Sequence, residues 1–113
     1  MAAEHEFLRE LYAAFNARDI ERALSAMHHD VEWADGMEGG SVHGRKAVRD
    51  YWTRQWQSID PRVDPQRFEG DSGQVVVDVH QVVRDLEGKI IADRIVRHSF
   101  QLEDGLVKVF RIL

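Results

Sequence analysis

FLRELYAAFNARDIERALSAMHHDVEW, residues 7–33, carries the reading on which the fold depends. Phe7, Leu8, Leu11, Ala14 and Phe15 recur at spacings of three and four, the single apolar stripe of an amphipathic helix. NARD, residues 16–19, interrupts that stripe. Asp19 stands where it can N-cap a short second helix whose apolar residues are Ile20, Ala23, Leu24 and Met27. His28, His29 and Asp30 close that helix, and VEWAD, residues 31–35, is short and strand-like. Alternate residues of a strand share a face, so Val31 and Trp33 pointing inward would carry Asp35 with them. A carboxylate turned toward a core needs a partner or a use.

GMEGGSVHG, residues 36–44, reads as a glycine-rich loop, and RKAVRDYWTRQW, residues 45–56, returns to helical spacing with Ala47, Val48, Tyr51, Trp52, Gln55 and Trp56 on one broad face. Pro61 and Pro65 punctuate the exit from this helix. The remainder of the chain is strand and turn. RFEG (67–70) is a short strand end, DSG (71–73) a turn, QVVVDVHQVVR (74–84) a long β-branched strand and DLEGK (85–89) a hairpin turn. IIADRIVRHSFQL (90–102), the EDG turn (103–105) and LVKVFRIL complete the meander. Helices grouped early and strands late predict an α+β protein with helices on one face of a curved sheet.

The chain has 113 residues, which predicts one domain spanning 1–113 with a core of its own. With no cysteine, disulfides and zinc–thiolate sites are excluded. The charges of MAAEHEFLRE do not suit a signal peptide and no segment approaches membrane-spanning length, so a cytoplasmic protein without a membrane partner is expected. A net charge of −5, with Lys and Arg scattered singly, argues against nucleic acid. Walker, GxGxxG, GxSxG and HExxH motifs are absent, and no cofactor is expected. His28 and His29 are adjacent, their side chains expected to diverge, and no third ligand follows at standard spacing, so no metal is expected either.

Three segments taken together resemble the nuclear transport factor 2-like superfamily, in its SnoaL-like and ketosteroid isomerase-like branch. They are the opening stretch with its N-A-x-D and H-D-V, then VHGRKAVRDYW (42–52), and last HSFQLEDGLVKVFRI (98–112). The resemblance covers essentially the entire chain. It implies a cone, a bent mixed or antiparallel sheet wrapped around three N-terminal helices, the cystatin-like α+β barrel, with an apolar pocket at its open end. Such folds host enzymes, binding modules and scaffolds alike.

The resemblance also implies roles. Aligned from NARD onward, the catalytic aspartate of ketosteroid isomerases falls on Asp35. The tyrosine of their oxyanion hole falls on Leu11, with Tyr12 about 100° away around the helix. The acidic partner falls on His98 if the EDG hairpin is one residue shorter, or on Arg97 without a gap; His98 is preferred because it also aligns Phe100 with the family's aromatic. Asp35 and His98 are therefore the candidate catalytic pair, facing one cavity, with Asp35 as base and His98 stabilising or protonating an oxyanion. The competing reading of Asp35 is a cap on the turn at Gly36. Tyr12, Trp33, Trp52, Trp56, Phe100 and Phe110 are the candidate ligand-binding aromatics, against the default that they fill the core.

His98 shares a strand face with Ala92, Arg94, Val96, Phe100 and Leu102, whereas the more apolar face of the preceding strand reads Val75, Val77, Val79, Gln81, Val83, leaving His80 toward solvent or a subunit interface. An epoxide hydrolase-like Asp–Arg–Asp triad is disfavoured, because adjacent Asp93 and Arg94 point to opposite faces. A homodimer through the outer face of a Val-rich sheet is expected. Two functions stand: a cofactor-free isomerase, cyclase or dehydratase acting on a small apolar carbonyl compound through the Asp–His pair, or a non-catalytic module that binds a small apolar ligand or dimerises.

Overall fold

The computed structural model describes residues 3–70 and 72–113. Three helices, α1 (Ala3–Asn16), α2 (Ile20–Ser25) and α3 (Arg45–Trp56), pack on a sheet of six strands. The strands are β1 (Met27–Ala34), β2 (Ser41–His43), β3 (Ile59–Glu69), β4 (Gln74–Asp85), β5 (Ile90–Glu103) and β6 (Leu106–Ile112). Their order across the sheet is β2-β1-β6-β5-β4-β3. All neighbours are antiparallel except β1 and β6, so the sheet is mixed, and it stays open between edge strands β2 and β3. Register shifts interrupt the ladders at Pro65/Arg67, Val83/Arg84, Gln101/Leu102 and Met27/Glu32. Bulges of this kind bend and twist strands, which is how a flat ladder becomes a wrap.

The α+β class and the curved sheet around three helices agree with the sequence reading. The NARD stretch shows why. Asn16 donates its amide to the Val63 carbonyl (2.8 Å) and accepts from the Val63 N–H (2.9 Å), tying the end of α1 to β3. Arg18 takes a positive φ of 61°, and Asp19 accepts from the Arg22 N–H to cap α2. The segment before α3 is equally specific. Gly44 sits at φ 87°, a conformation that favours glycine, and its N–H bonds to the Val31 carbonyl at 2.7 Å. Arg45 Nε then donates to the Met27 carbonyl at 2.9 Å, fastening α3 to β1.

The strand boundaries need correction. Pro61 and Pro65 do not merely punctuate the exit from α3: both are inside β3, an 11-residue strand of which the sequence reading reaches only residues 67–69. β3 is an edge strand, where a residue without N–H costs no ladder bond on the solvent side. The glycine-rich loop contains β2, which pairs Val42 with Trp33. His28, His29 and Asp30 belong to β1, not to the end of α2. Of the expected DSG turn, Asp71 lies outside the described residues.

The concave face carries the valines. Val75, Val77 and Val79 of β4 are fully buried against the helices, alongside Leu8, Ala14, Val48 and Trp52. The convex face is therefore not the Val-rich surface on which the homodimer expectation rested. It carries charge pairs, His80–Asp93 at 2.7 Å and Arg97–Asp78 at 2.9 Å, around an Ile95 that is 64% exposed.

Candidate functional site

Between the helices and the concave sheet lies a cavity of about 150 Å³. Strand alternation sets one wall: Phe100 and His98 of β5, Phe110 and Ile112 of β6 and Trp33 of β1 stand on one face, with Phe100 opposite Phe110 and Trp33 beside it in the ladders. α1 contributes Leu11, Tyr12 and Phe15, and α3 contributes Tyr51, Trp52 and Gln55. The aromatic rings brace one another. Trp33 stacks on Phe110 at 4.0 Å between centroids, and its edge meets Trp52 at 5.4 Å. Met37, exposed, and Ile112, also exposed, stand at the rim.

One polar pair is sunk in this wall. The Tyr12 hydroxyl and His98 Nδ1 are 2.8 Å apart, with 5% and 6% of the two residues exposed. Burial lowers the His98 pKa from 6.5 to about 4 and raises that of Tyr12 well above its usual value. Both groups are therefore neutral near pH 7. In the tautomer with the Tyr12 O–H donating to Nδ1, the His98 ring proton sits on Nε2, which has no hydrogen-bond partner among the described residues, and His98 lines the cavity.

Asp35 is elsewhere. β1 ends at Ala34, so the alternation that would have turned Asp35 inward stops one residue too soon. Its Oδ1 accepts from the N–H groups of Met37 and Glu38, both at 2.9 Å, and its backbone closes the loop through Gly39 and Gly40. This is the turn-capping role weighed against the catalytic one. Asp35 does not line the cavity, although its neighbours Ala34 and Gly36 do. The structure thus does not pair Asp35 with His98; the partner of His98 is Tyr12. Asp35 still reaches the mouth electrically: burial raises the Tyr51 pKa, and the Asp35 charge adds a smaller push in the same direction.

Of the candidate aromatics, Tyr12, Trp33, Trp52, Phe100 and Phe110 line the cavity. Trp56 does not; it packs behind Trp52 and Phe15, with the Arg18 guanidinium 4.8 Å from its ring and its Nε1 buried without a partner among the described residues. The sequence reading missed Phe15, Gln81 and Arg94 as lining residues. Gln81 and Arg94 were legible as members of the faces that also carry Val79 and His98.

His28 and His29 do not diverge, because β1 is irregular between Met27 and Glu32: their rings stack at 4.4 Å. His28 Nδ1 accepts the Asp30 N–H, which leaves Nε2 as the protonated nitrogen, toward Glu103 at 3.4 Å. The Lys108 ammonium lies within 4 Å of both Asp30 and Glu103. The Lys108 ammonium already supplies these carboxylates with the positive charge that a metal ion would bring.

A bent open sheet closed over three helices, with a ligand-sized aromatic cavity, defines a cone-shaped pocket protein of the NTF2-like kind. The family model described as SnoaL-like domain matches residues 8–110, and the chain belongs to that family. Among curated proteins none matches. Solved structures do. TerC, co-crystallized with polyporic acid, is 30% identical with a TM-score of 0.87, over 97% of this chain and 89% of that one. An NTF2-like protein of unknown function from Burkholderia pseudomallei is 28% identical with a TM-score of 0.89, over 100% and 91%. RV0760c from Mycobacterium tuberculosis, in complex with estradiol-17beta-hemisuccinate, shares the fold at 15% identity and a TM-score of 0.84, over 99% and 93%.

Proposed function

We propose that the protein takes one flat, largely apolar small molecule into its cone and that the Tyr12–His98 pair polarises a carbonyl or hydroxyl oxygen of that molecule. The observation that carries this reading is the pair itself: a buried phenol–imidazole hydrogen bond of 2.8 Å opening on an aromatic cavity. A neutral imidazole N–H stabilises an enolate or tetrahedral oxyanion without having to give up a proton first. That suits enolisation of a carbonyl compound, the step shared by isomerisation, cyclisation and dehydration. The α-proton passes to water or hydroxide entering through the open mouth while the His98 N–H holds the oxyanion. The cavity volume is on the order of the engineered apolar cavity that takes up benzene, so one ring is enclosed and anything larger extends past Met37 and Ile112. The ring-bearing ligands named for TerC and RV0760c support occupancy of this kind.

The non-catalytic reading has its own support: among the described residues no carboxylate lines the cavity, because Asp35 is committed to its turn. The two readings separate with β-tetralone, a bicyclic ketone with acidic α-protons. Binding is followed by saturation-transfer NMR and α-proton exchange by proton NMR in deuterated buffer. Exchange above the buffer rate that falls at least tenfold in His98→Gln supports polarisation by His98. Binding without accelerated exchange leaves a binding module. No binding by the wild-type protein removes both readings.

The homodimer stands as a proposal on a narrower footing, the exposed Ile95 amid complementary charges of the convex face. A dimer in sedimentation equilibrium that dissociates on Ile95→Glu supports it, and a monomeric wild-type protein ends it.

A further inference from the structure

The charge inventory of the cavity is one-sided. The chain holds 20 acidic and 15 basic residues, yet among the described residues no carboxylate lines the cavity. Its one permanently charged lining side chain is Arg94, on the same face of β5 as His98 and four residues before it. Most other arginines sit in ion pairs, Arg9 with Glu6, Arg18 with Asp60, Arg22 with Glu10, Arg49 with Glu21, Arg62 with Asp64, Arg67 with Glu69, Arg97 with Asp78 and Arg111 with Glu32. Arg45, Arg54 and Arg84 form none among the described residues, and none of these three lines the cavity. Arg94 forms no ion pair among the described residues. Its neighbour Asp93 points to the opposite face and is held by His80 at 2.7 Å. The partner of Arg94 is the neutral Gln81, whose Oε1 accepts from Nε at 2.9 Å across the β4–β5 ladder. That bond fixes one edge of the guanidinium and leaves its two terminal nitrogens free to form a fork.

Resting on the proposed occupancy of the cone, we infer that its ligand is an anion: a flat aromatic or polyenol acid whose neutral oxygen meets His98 at depth and whose carboxylate, or equally acidic oxygen, is held by Arg94 at the mouth. Dimensions agree. Four residues of strand set the Cα atoms of His98 and Arg94 about 13 Å apart on one face, so a ligand that meets both groups has its two oxygens well separated, at opposite ends of its ring system. Two fused or linked rings provide that separation. The net charge of −5 would repel an anion at long range, so selection of an acid rests on this single local cation. Gln81 is a positioning residue that aims the fork through its bond to Nε.

The test compares one hydroxynaphthoate, its oxygens at opposite ends of the two rings, with its own methyl ester, binding being read by ligand fluorescence. In the wild-type protein the acid binds roughly three- to tenfold tighter than the ester, the range for a charge-assisted bond at a half-open site. The advantage shrinks as salt is raised. In Arg94→Gln the two bind alike, and Arg94→Lys restores part of the preference, because a point charge replaces a fork. Gln81→Leu lowers the ratio of acid to ester affinity, because the fork loses the bond that aims it. Equal binding of acid and ester by the wild-type protein, or a preference that survives in Arg94→Gln, overturns the inference while the proposed function stands. Binding of neither compound overturns both.

Discussion

Acidifying the solution should destabilise the fold through one imidazole before most carboxylates titrate. Burial holds the His98 pKa near 4 in the folded protein, against 6.5 for the ordinary side chain. Between those values the unfolded chain binds a proton that the folded chain refuses. Stability contributed by the neutral ring is therefore fully present above pH 6.5, falls as the pH drops, and stops falling below about 4. The whole effect is worth roughly 3 kcal/mol at about 1.4 kcal/mol per pH unit, and the part expressed between pH 6.5 and 5 roughly 2 kcal/mol. For a domain of this size that is a fall in Tm of about 8 °C. Urea unfolding at pH 7.0, 6.0 and 5.0, compared between wild type and His98→Gln, isolates the effect, since the variant keeps every other titrating group. The variant should be less stable at pH 7 and show a flatter profile. Proton NMR of the His98 ring should show no titration above pH 5. Parallel profiles for the two proteins, or a ring that titrates near 6.5, would refute the reasoning.

Tyr12→Phe removes the hydroxyl from a buried imidazole and should cost about 1–2 kcal/mol in urea unfolding; a smaller loss than 0.5 kcal/mol would mean that water or a ring flip satisfies His98 equally well. Asn16→Ala leaves both the Val63 N–H and its carbonyl without their partner, so a loss of about 1–3 kcal/mol and faster hydrogen exchange in β3 are expected. Unchanged exchange in β3 would show that Asn16 does not hold that edge. Asp35→Ala should lose about 1 kcal/mol and loosen the 36–40 loop, whereas Asp35→Asn, retaining the Oδ1 acceptor, should lose less than half of that. If α-proton exchange is catalysed and Asp35→Asn abolishes it as completely as His98→Gln, Asp35 enters the cavity during turnover.

The helices, the long strands and the class of fold were legible because their signals are periodic and local. Leu8, Leu11 and Ala14 share a helix face whatever surrounds it, and all three are buried. The prolines of β3 were misleading because position in a sheet is not written locally. Only the strand order, with β3 at an edge, makes Pro61 and Pro65 harmless to the ladder. Asp35 shows the limit of parity: alternation orients a side chain only while the strand lasts, and β1 ends one residue earlier. Tyr12 shows the limit of the helical wheel. Leu11 and Tyr12 lie about 100° apart around α1, which on an ordinary surface helix would expose one of them. The sheet wraps far enough around α1 to bury both, at 4% and 5%. Curvature, a property of the whole ladder and its bulges, thus decides which tyrosine meets His98.

That geometry bears on how the site responds to pH. In an Asp–His site, binding and catalysis would change as the carboxylate and the imidazolium exchange a proton. Here the imidazole is paired with a phenol whose pKa is raised by burial, and the ring itself is neutral down to about pH 4. Nothing in the pair titrates between pH 5 and 8. Affinity for the methyl ester of the hydroxynaphthoate should therefore be flat across that interval, and affinity for the acid should be flat as well once its carboxylate is ionised. A step in ester affinity near pH 6.5, lost in His98→Gln, would mean that His98 takes a proton in the occupied cavity. The site would then work by imidazolium, with Tyr12 as acceptor and not donor.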